Sequence, residues 1–568
     1  MICSVRTRFR SSSSRVIAGF LASIVLLAVL NLPLSLSAWV PRGEPLYALV
    51  PVAESLLVIW LLFLLLHRRV APGLRRWSTV VAGAVYGVLA GVSAAESFFR
   101  FYYARAFSAR GDIRMIRGAL LLFLGDIGPT VDLIAPVFTG LLFLALAAAG
   151  WAVALAGSAV LRRAKVGPVT LAAVTLLGVA AVGATGPPSS IAALAARSWF
   201  EGRPAEFVEV VAAADEDEGD EAGPQPAARD SAARESEYRF PGLRDRDIYV
   251  FVIEAYGYAS VYRPELARHL DPYRDRLEEV LNEQGYRTVT SYLRSPVAGG
   301  YSWLAEATFL TGQWINSQER FLKLYDAGLP TLSGTLHAGG YYTLTVRPGT
   351  VHGPWPEAWD LYRFEESIGA HGNGFGFAGP WFSYVPVTDQ FAIWNAHQRI
   401  EELTRPGGTA AERPLLVYYQ LVTSHTPFNK IPPLIEWDAL GDGSVYHERA
   451  DEILRFDNTW TGGTQLVEGY LAAIGYVFDV ITDYVARIMD HSRDPIIVIF
   501  GDHEPQRPIR STESVLSVPI HVAGRDDEVL ECFIAEGFGA GMRPDQAPPH
   551  RLMSEFFPMM VELARNCR

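Results

Sequence analysis

Four short stretches hold residue types that can bind a cation and activate a nucleophile. IYVFVIE ends in Glu254, GGYSWLAEATFLTG carries Ser302, LLVYYQLVTSHTPF reaches His425, and PIIVIFGDHEPQ delivers Asp502 and His503. One carboxylate, an adjacent Asp-His pair and a serine oxygen make a donor set for a single divalent ion. Hard oxygens with one imidazole suit Mn2+ or Zn2+ better than Ca2+, which takes an oxygen shell. Each stretch alone is weak evidence. A Glu at a strand end is usually a solvated carboxylate, Gly-Asp is ordinary turn chemistry, and a serine after glycines is usually a helix cap. Their weight comes from occurring together.

The elements around them supply that connection. Short β-rich runs fall at 248–254, 286–291, 341–347, 415–423, 495–500 and 517–523, and helix-like stretches at 262–284 and 464–490 lie between them. Runs apolar throughout imply a sheet buried on both faces, and the alternation with helices implies an α/β layer fold. In such sheets sites form at the carboxyl ends of parallel strands, which is where Glu254, His425 and the Asp502–His503 pair fall. Gly299 and Gly300 let the chain turn sharply before Ser302, and the apolar run after it reads as a helix. Ser302 is then either an N-cap, contributing about 1 kcal/mol, or a nucleophile at a helix N-terminus, where an anion is stabilised. The two roles are compatible. Glu306 is expected to complete a capping box, a structural duty.

The remainder of the chain bounds the setting. Half of the 568 residues are hydrophobic, but the long apolar runs crowd into the first third. Five stretches reach the length a membrane span needs: roughly 16–39, 47–66, 78–99, 134–160 and 167–187. Arginines at 6, 8, 10 and 15, at 68, 69, 75 and 76, and at 162 and 163 with Lys165 mark cytoplasmic ends. The N-terminus is therefore expected inside and everything beyond 188 outside. The basic segment 100–133 disagrees, and is read as lying on the outer interface; as a sixth span it would put the large domain in the cytoplasm. An acidic, alanine-rich tether follows, so the expected domains are 1–188 (membrane), 189–243 (juxtamembrane helix and linker) and 244–568. A net charge of −12 argues against a nucleic-acid partner. Cys3, Cys532 and Cys567 form no zinc pattern; Cys532 and Cys567 can pair if their domain is outside the cell.

The order of these motifs resembles the alkaline-phosphatase superfamily, in its membrane-anchored, sulfatase-like branch of lipoteichoic acid synthases and phosphoethanolamine transferases. VFVIEAYG is similar to the family's first metal-ligand strand, GGYSWLAEATFLTG to its nucleophile segment, TSHTPF to its substrate-binding histidine motif and VIFGDHEP to its terminal ligand pair. The resemblance implies a five-helix transmembrane bundle followed by an alkaline-phosphatase-like catalytic domain on a central mixed, mostly parallel sheet. It implies metal ligands Glu254, Ser302, Asp502 and His503, with Ser302 as nucleophile and His425 at the phosphate. Arg347, His352 and Trp355, in VRPGTVHGPWPEAW, become candidates for headgroup contacts, although the spacing there departs from the lipoteichoic branch. The implied reaction is transfer of a phospho-headgroup from a membrane lipid donor to an envelope lipid or glycan acceptor. A phosphodiesterase or sulfatase is the alternative, and a non-catalytic scaffold a third. Ser302-Trp303-Leu304-Ala305-Glu306 lacks the Pro and Arg that formylglycine formation needs, which argues against a sulfatase. The implied location is the bacterial cytoplasmic membrane, with the catalytic domain outside.

Overall fold

The computed structural model describes residues 20–34, 72–102 and 243–566, apart from 244–245, 351–360, 370–373, 385, 460–461, 511–515 and 545–547, with scattered residues between 55 and 176. The chain divides into two compact units, Met1–Glu218 and Gly219–Arg568.

In the first unit the helix Pro72–Tyr102 contains a 24-residue apolar stretch, Trp77–Arg100, long enough to cross a membrane. Among the described residues it is the one helix that is. Shorter apolar helices, Phe20–Leu34 and Leu144–Ala156, fall on the first and fourth expected spans. The spans expected at 47–66 and 167–187, and the segment 103–133, lie largely outside the described residues. The three helices pack through small residues and hydroxyls. A Cβ on Gly87 would lie 1.9 Å from the Leu146 carbonyl oxygen, and one on Gly150 1.9 Å from the Gly83 carbonyl oxygen, so these backbones touch because side chains are missing. Tyr86 Oη donates to the Leu30 carbonyl at 3.0 Å and Ser93 Oγ to that of Leu34 at 2.9 Å. Close glycine contacts with hydroxyl bonds to backbone are how helices associate where apolar burial gives no drive.

The second unit is built in the order β1 (Ile248–Ile253), α1 (Pro264–Glu283), β2 (Arg287–Arg294), α2 (Ser302–Thr311), α3 (Leu332–Ala338), β3 (Tyr342–Val346), β4 (Glu366–Ile368), α4 (Asp389–Thr404), β5 (Leu415–Leu421), α5 (Leu466–Arg487), β6 (Ile496–Gly501), β7 (Ser517–Gly524), α6 (Asp527–Ala535), β8 (Gly539–Ala540), β9 (His550–Leu552) and α7 (Phe556–Asn566). Nine strands form one sheet in the order β8-β2-β7-β6-β1-β5-β3-β4, with β9 also on β2. From β6 through β4 every pairing is parallel; β7 runs antiparallel between β6 and β2. The sheet is mixed and mostly parallel, as the resemblance implied, and the strands alternate with helices as the sequence pattern predicts.

The uniformly apolar strands are explained by helices on both faces. Along β1, Tyr249, Phe251 and Ile253 join one core with Leu270 and Leu277 of α1, Phe391 of α4 and Tyr470 and Ile474 of α5. Ile248, Val250 and Val252 face the other core, with Leu304 and Phe309 of α2, Leu336 of α3 and Phe556 of α7. Side chains alternate across a strand, so both alternating sets must be apolar. Register then sets the working edge: Ile253 pairs with Gly501 of β6 and with Leu421 of β5, so three strand ends stop at one level.

That edge is tightly built. A Cβ on Gly501 would sit 1.8 Å from the Tyr256 carbonyl oxygen, in the turn that follows Glu254. Gly501→Ala is therefore expected to cost about 3 kcal/mol or more, read as a lowered unfolding midpoint of the full chain. An unchanged midpoint would show that the turn has slack.

Candidate active site at the sheet edge

Glu254 is the first residue beyond β1, and its backbone is held from three sides. Ala255 adopts a left-handed φ of 59°. Ser424 Oγ donates to the Glu254 carbonyl at 2.7 Å, Tyr470 Oη donates to the Ala255 carbonyl at 3.0 Å, and the Ala255 amide donates to Asp502 Oδ1 at 2.8 Å. Asp502 Oδ1 also accepts from the His503 amide at 2.7 Å, which leaves its other oxygen for the site.

There the four expected ligands converge. His503 Nε2 lies 3.1 Å from Glu254 Oε1, 3.7 Å from Asp502 Oδ2 and 3.3 Å from Ser302 Oγ, and Ser302 Oγ donates to Glu254 Oε2 at 2.7 Å. Ligand atoms of Glu254, Asp502 and His503 all lie within 4.8 Å of one another, and the three side chains are buried. Ser302 is half-buried. His503 Nδ1 faces the Glu504 carbonyl oxygen at 2.9 Å. A carbonyl only accepts, so Nδ1 carries a proton, and Nε2 is the nitrogen that faces the two carboxylates and becomes a ligand atom once its own proton is displaced. Metal-ligating histidines are oriented in this way.

This convergence is unfavourable without a positive charge at its centre. Burial opposes ionisation of Glu254, but the neighbouring His503 and His425 and the bonds from His503 and Ser302 bring its pKa down to about 2. Burial and then the Glu254 charge push Asp502 up to about 8. Burial lowers His503, but Asp502 and Glu254 outweigh it and raise it to about 9. The cluster thus holds protons where a cation fits, and the donor chemistry suits a divalent ion.

The local geometry corrects three expectations. Ser302 is not the cap of α2: the preceding Tyr301, at φ 68°, occupies that position and makes no side-chain cap bond. Ser302 is the first helical residue, its hydroxyl turned to Glu254. Glu306 completes no capping box either. It pairs with Arg347, whose Nη2 donates to Oε1 at 2.6 Å and Nη1 to Oε2 at 3.1 Å. Arg347 is wholly buried in that pair, so its guanidinium is not available to a headgroup as the resemblance implied.

His425 lies beyond β5 and is half-buried. Its Nδ1 donates to the Thr426 carbonyl at 2.7 Å, and its ring stacks on Tyr384 with centroids 3.8 Å apart and planes at 15°. Burial lowers its pKa while the Glu254 charge works the other way, which places it in the field of the cluster. His352 and Trp355 lie outside the described residues. The sequence reading missed Tyr384, Ser424 and Tyr470. Ser424 stands beside His425 in TSHTPF and was within reach, but nothing marks Tyr384 or Tyr470 among the chain's 24 tyrosines.

The fold and site define a mixed α/β domain with a buried Glu254–Asp502–His503 cluster that could hold a cation at the ends of parallel strands. No family model and no curated protein matches the chain. Among solved structures it is similar to the lipoteichoic acid synthase LtaP of Listeria monocytogenes, at 14% identity and TM-score 0.33, covering 50% of this chain and 67% of that one. It is similar to the C-terminal periplasmic domain of EcEptC from Escherichia coli, at 12% identity and TM-score 0.35 over 56% and 82%, a domain also solved in complex with Zn. It is similar too to the phosphoglycerol transferase GacH of Streptococcus pyogenes in complex with sn-glycerol-1-phosphate, at 11% identity and TM-score 0.34 over 61% and 90%. At these values the functional reading rests on the site's own geometry.

Because burial and the neighbouring charges raise the pKa values of Asp502 and His503 above their ordinary ranges, a metal must displace protons from them near neutrality. Apparent affinity for Mn2+ or Zn2+ is expected to rise between pH 6 and about 9, with proton release falling away above that. Calorimetry in buffers of different ionisation enthalpy reads both. Affinity flat across this range would show that the cluster does not ligate.

Proposed function

We propose that the chain is a membrane-anchored, metal-dependent phosphotransferase that moves a phospho-headgroup, of phosphoglycerol or phosphoethanolamine type, from a lipid to an envelope acceptor through a covalent Ser302 intermediate. The observation that carries this reading is Ser302 Oγ, half-buried, 2.7 Å from Glu254 and 3.3 Å from His503 at the first turn of a helix.

Glu254, Asp502, His503 and Ser302 would hold one divalent ion, Mn2+ or Zn2+. When bound, the ion supplies positive charge that favours the serine alkoxide and polarises the phosphoryl oxygen. This chain's own residues do the rest. Glu254 accepts the Ser302 hydrogen bond and fixes Oγ in an attacking position. The start of α2 offers backbone amides and a dipole to the phosphoryl anion. Ser302 gives up its proton to solvent as Oγ bonds to phosphorus, the bond to the lipid alcohol breaks, and the leaving oxygen takes a proton from solvent, or from His425 once its Nε2 has been protonated. A hydroxyl of the acceptor then displaces Ser302, whose oxygen regains a proton. Water in that second step would make the enzyme a phosphodiesterase.

The setting fits this chemistry. The apolar helices of the first unit would hold the site near lipid donors, and the arginine distribution favours an outer location. Cys532 is disulfide-bonded, which suits a domain in an oxidising compartment. The acidic composition gives no support to a nucleic-acid substrate.

Ser302→Ala is expected to reduce cleavage of a p-nitrophenyl phosphodiester about 10³-fold or more, and mass spectrometry of the wild type from its native membrane is expected to show a phospho-headgroup on the Ser302 peptide. Undiminished turnover in Ser302→Ala would overturn the nucleophile assignment. A glycerol phosphate or ethanolamine phosphate adduct would name the donor.

A further inference from the structure

We infer that the buried Glu306–Arg347 pair is a positioning device for Ser302, setting the roll of α2 so that the serine oxygen points at the cation site. The inference rests on the reading of Ser302 as nucleophile. Glu306 lies four residues after Ser302 on α2, one turn below it on the same face. The side chains of Glu306 and Arg347 are 1% and 0% exposed, and the guanidinium grips the carboxylate with both terminal nitrogens, at 2.6 and 3.1 Å. Arg347 is itself anchored to the sheet. It is the first residue beyond β3, its amide donates to the Ile368 carbonyl of β4 at 2.9 Å, and Nη1 also reaches Gln420 Oε1 of β5 at 3.2 Å. Its Cζ lies 5.3 Å from the ring centre of Tyr362. The same sheet edge that presents Glu254 and the Asp502–His503 pair thus also holds the nucleophile's helix.

Three features point beyond mere stability. First, α2 has no side-chain cap, because Tyr301 supplies none and the Ser302 hydroxyl is turned to Glu254. Its first turn is restrained from beneath by Glu306 and from the side by Trp303 Nε1, which donates to Gln318 Oε1 at 2.8 Å. Second, a two-pronged ion pair resists rotation as a single apolar contact does not. Ser302 Oγ stands roughly 4 Å from the helix axis, so a roll of about 15° would move it about 1 Å. A displacement of that size costs about 10²-fold in rate. Third, buried ion pairs can often be replaced by apolar side chains of similar volume with little loss of stability, so packing alone does not require charge here. Arg347 touches no substrate in this account. It acts through Glu306 on Ser302.

The test uses the full-length chain with its metal and a p-nitrophenyl phosphodiester. The apolar double variant Glu306→Leu with Arg347→Met is expected to keep its unfolding midpoint and metal stoichiometry near wild type and KM within about threefold, while kcat falls about 30-fold or more. Arg347→Lys, which keeps the charge but not the fork, is expected to lose about tenfold in kcat at unchanged KM. A double variant with kcat within about threefold of wild type overturns the inference alone. An inert wild type overturns the nucleophile reading and this inference with it. Should the double variant fail to fold, Arg347→Lys decides, and an unchanged kcat there overturns the proposal.

Discussion

Two carboxylates, an imidazole nitrogen and a hydroxyl oxygen are forced by the backbone to face one another in a buried space. Nothing in the packing relieves that concentration of negative charge, and the protonation of Asp502 and His503 is its symptom. The rest of the second unit can be understood as scaffolding for this arrangement. The parallel strands β1, β5 and β6 end in register, and the turn after β1 is tied to α5 by Tyr470, to the β5 loop by Ser424 and to the β6 end by Asp502. Such convergence costs stability, and it persists because two large apolar cores, one on each face of the sheet, stabilise the strands that produce it.

Helix α2, which carries Ser302, is subject to the same constraint. Its start is uncapped, and its hydroxyl serves the site rather than the helix. Fixing α2 therefore falls to groups lower down: Leu304 and Phe309 in the core, Trp303 at the side and Glu306 beneath. Catalytic precision of a few tenths of an ångström is reached when the supporting residues are themselves locked. The burial of both members of the Glu306–Arg347 pair meets that condition. Arg347 illustrates how one residue type in a pocket-like stretch can serve two different ends. An exposed arginine there would meet an anion from solvent, whereas this one meets an anion from its own chain.

Much of this was legible beforehand. The six longest strands appear as β-rich runs, most of them apolar throughout because both faces of the sheet are covered, and the two long helices by their periodicity. Glu254, Asp502 and His503 were visible because each polar group breaks an apolar run at its end. Short elements were not. β4, β8 and β9 have two or three residues each, too few for a period, and α4 was passed over because Asp389, Gln390 and His397, polar yet buried, blur its apolar face. In the first unit, the four-residue spacing of Gly83, Gly87 and Gly91 was present in the sequence, but its meaning came only from the helix that packs against it.

The sequence by itself determined which groups were available: the acid, the hydroxyl, the Asp-His pair, and the strand pattern that sends them toward one edge. Tertiary structure decided their pairing. It turned Ser302 from a cap into a hydrogen-bond donor to Glu254, took Arg347 from the solvent-facing pocket and joined it to Glu306, and laid Tyr384 against His425. The physical reason is range. Strand and helix preferences are set by neighbours a few residues away, whereas a buried charge takes whichever partner the fold brings within about 3 Å, however distant along the chain.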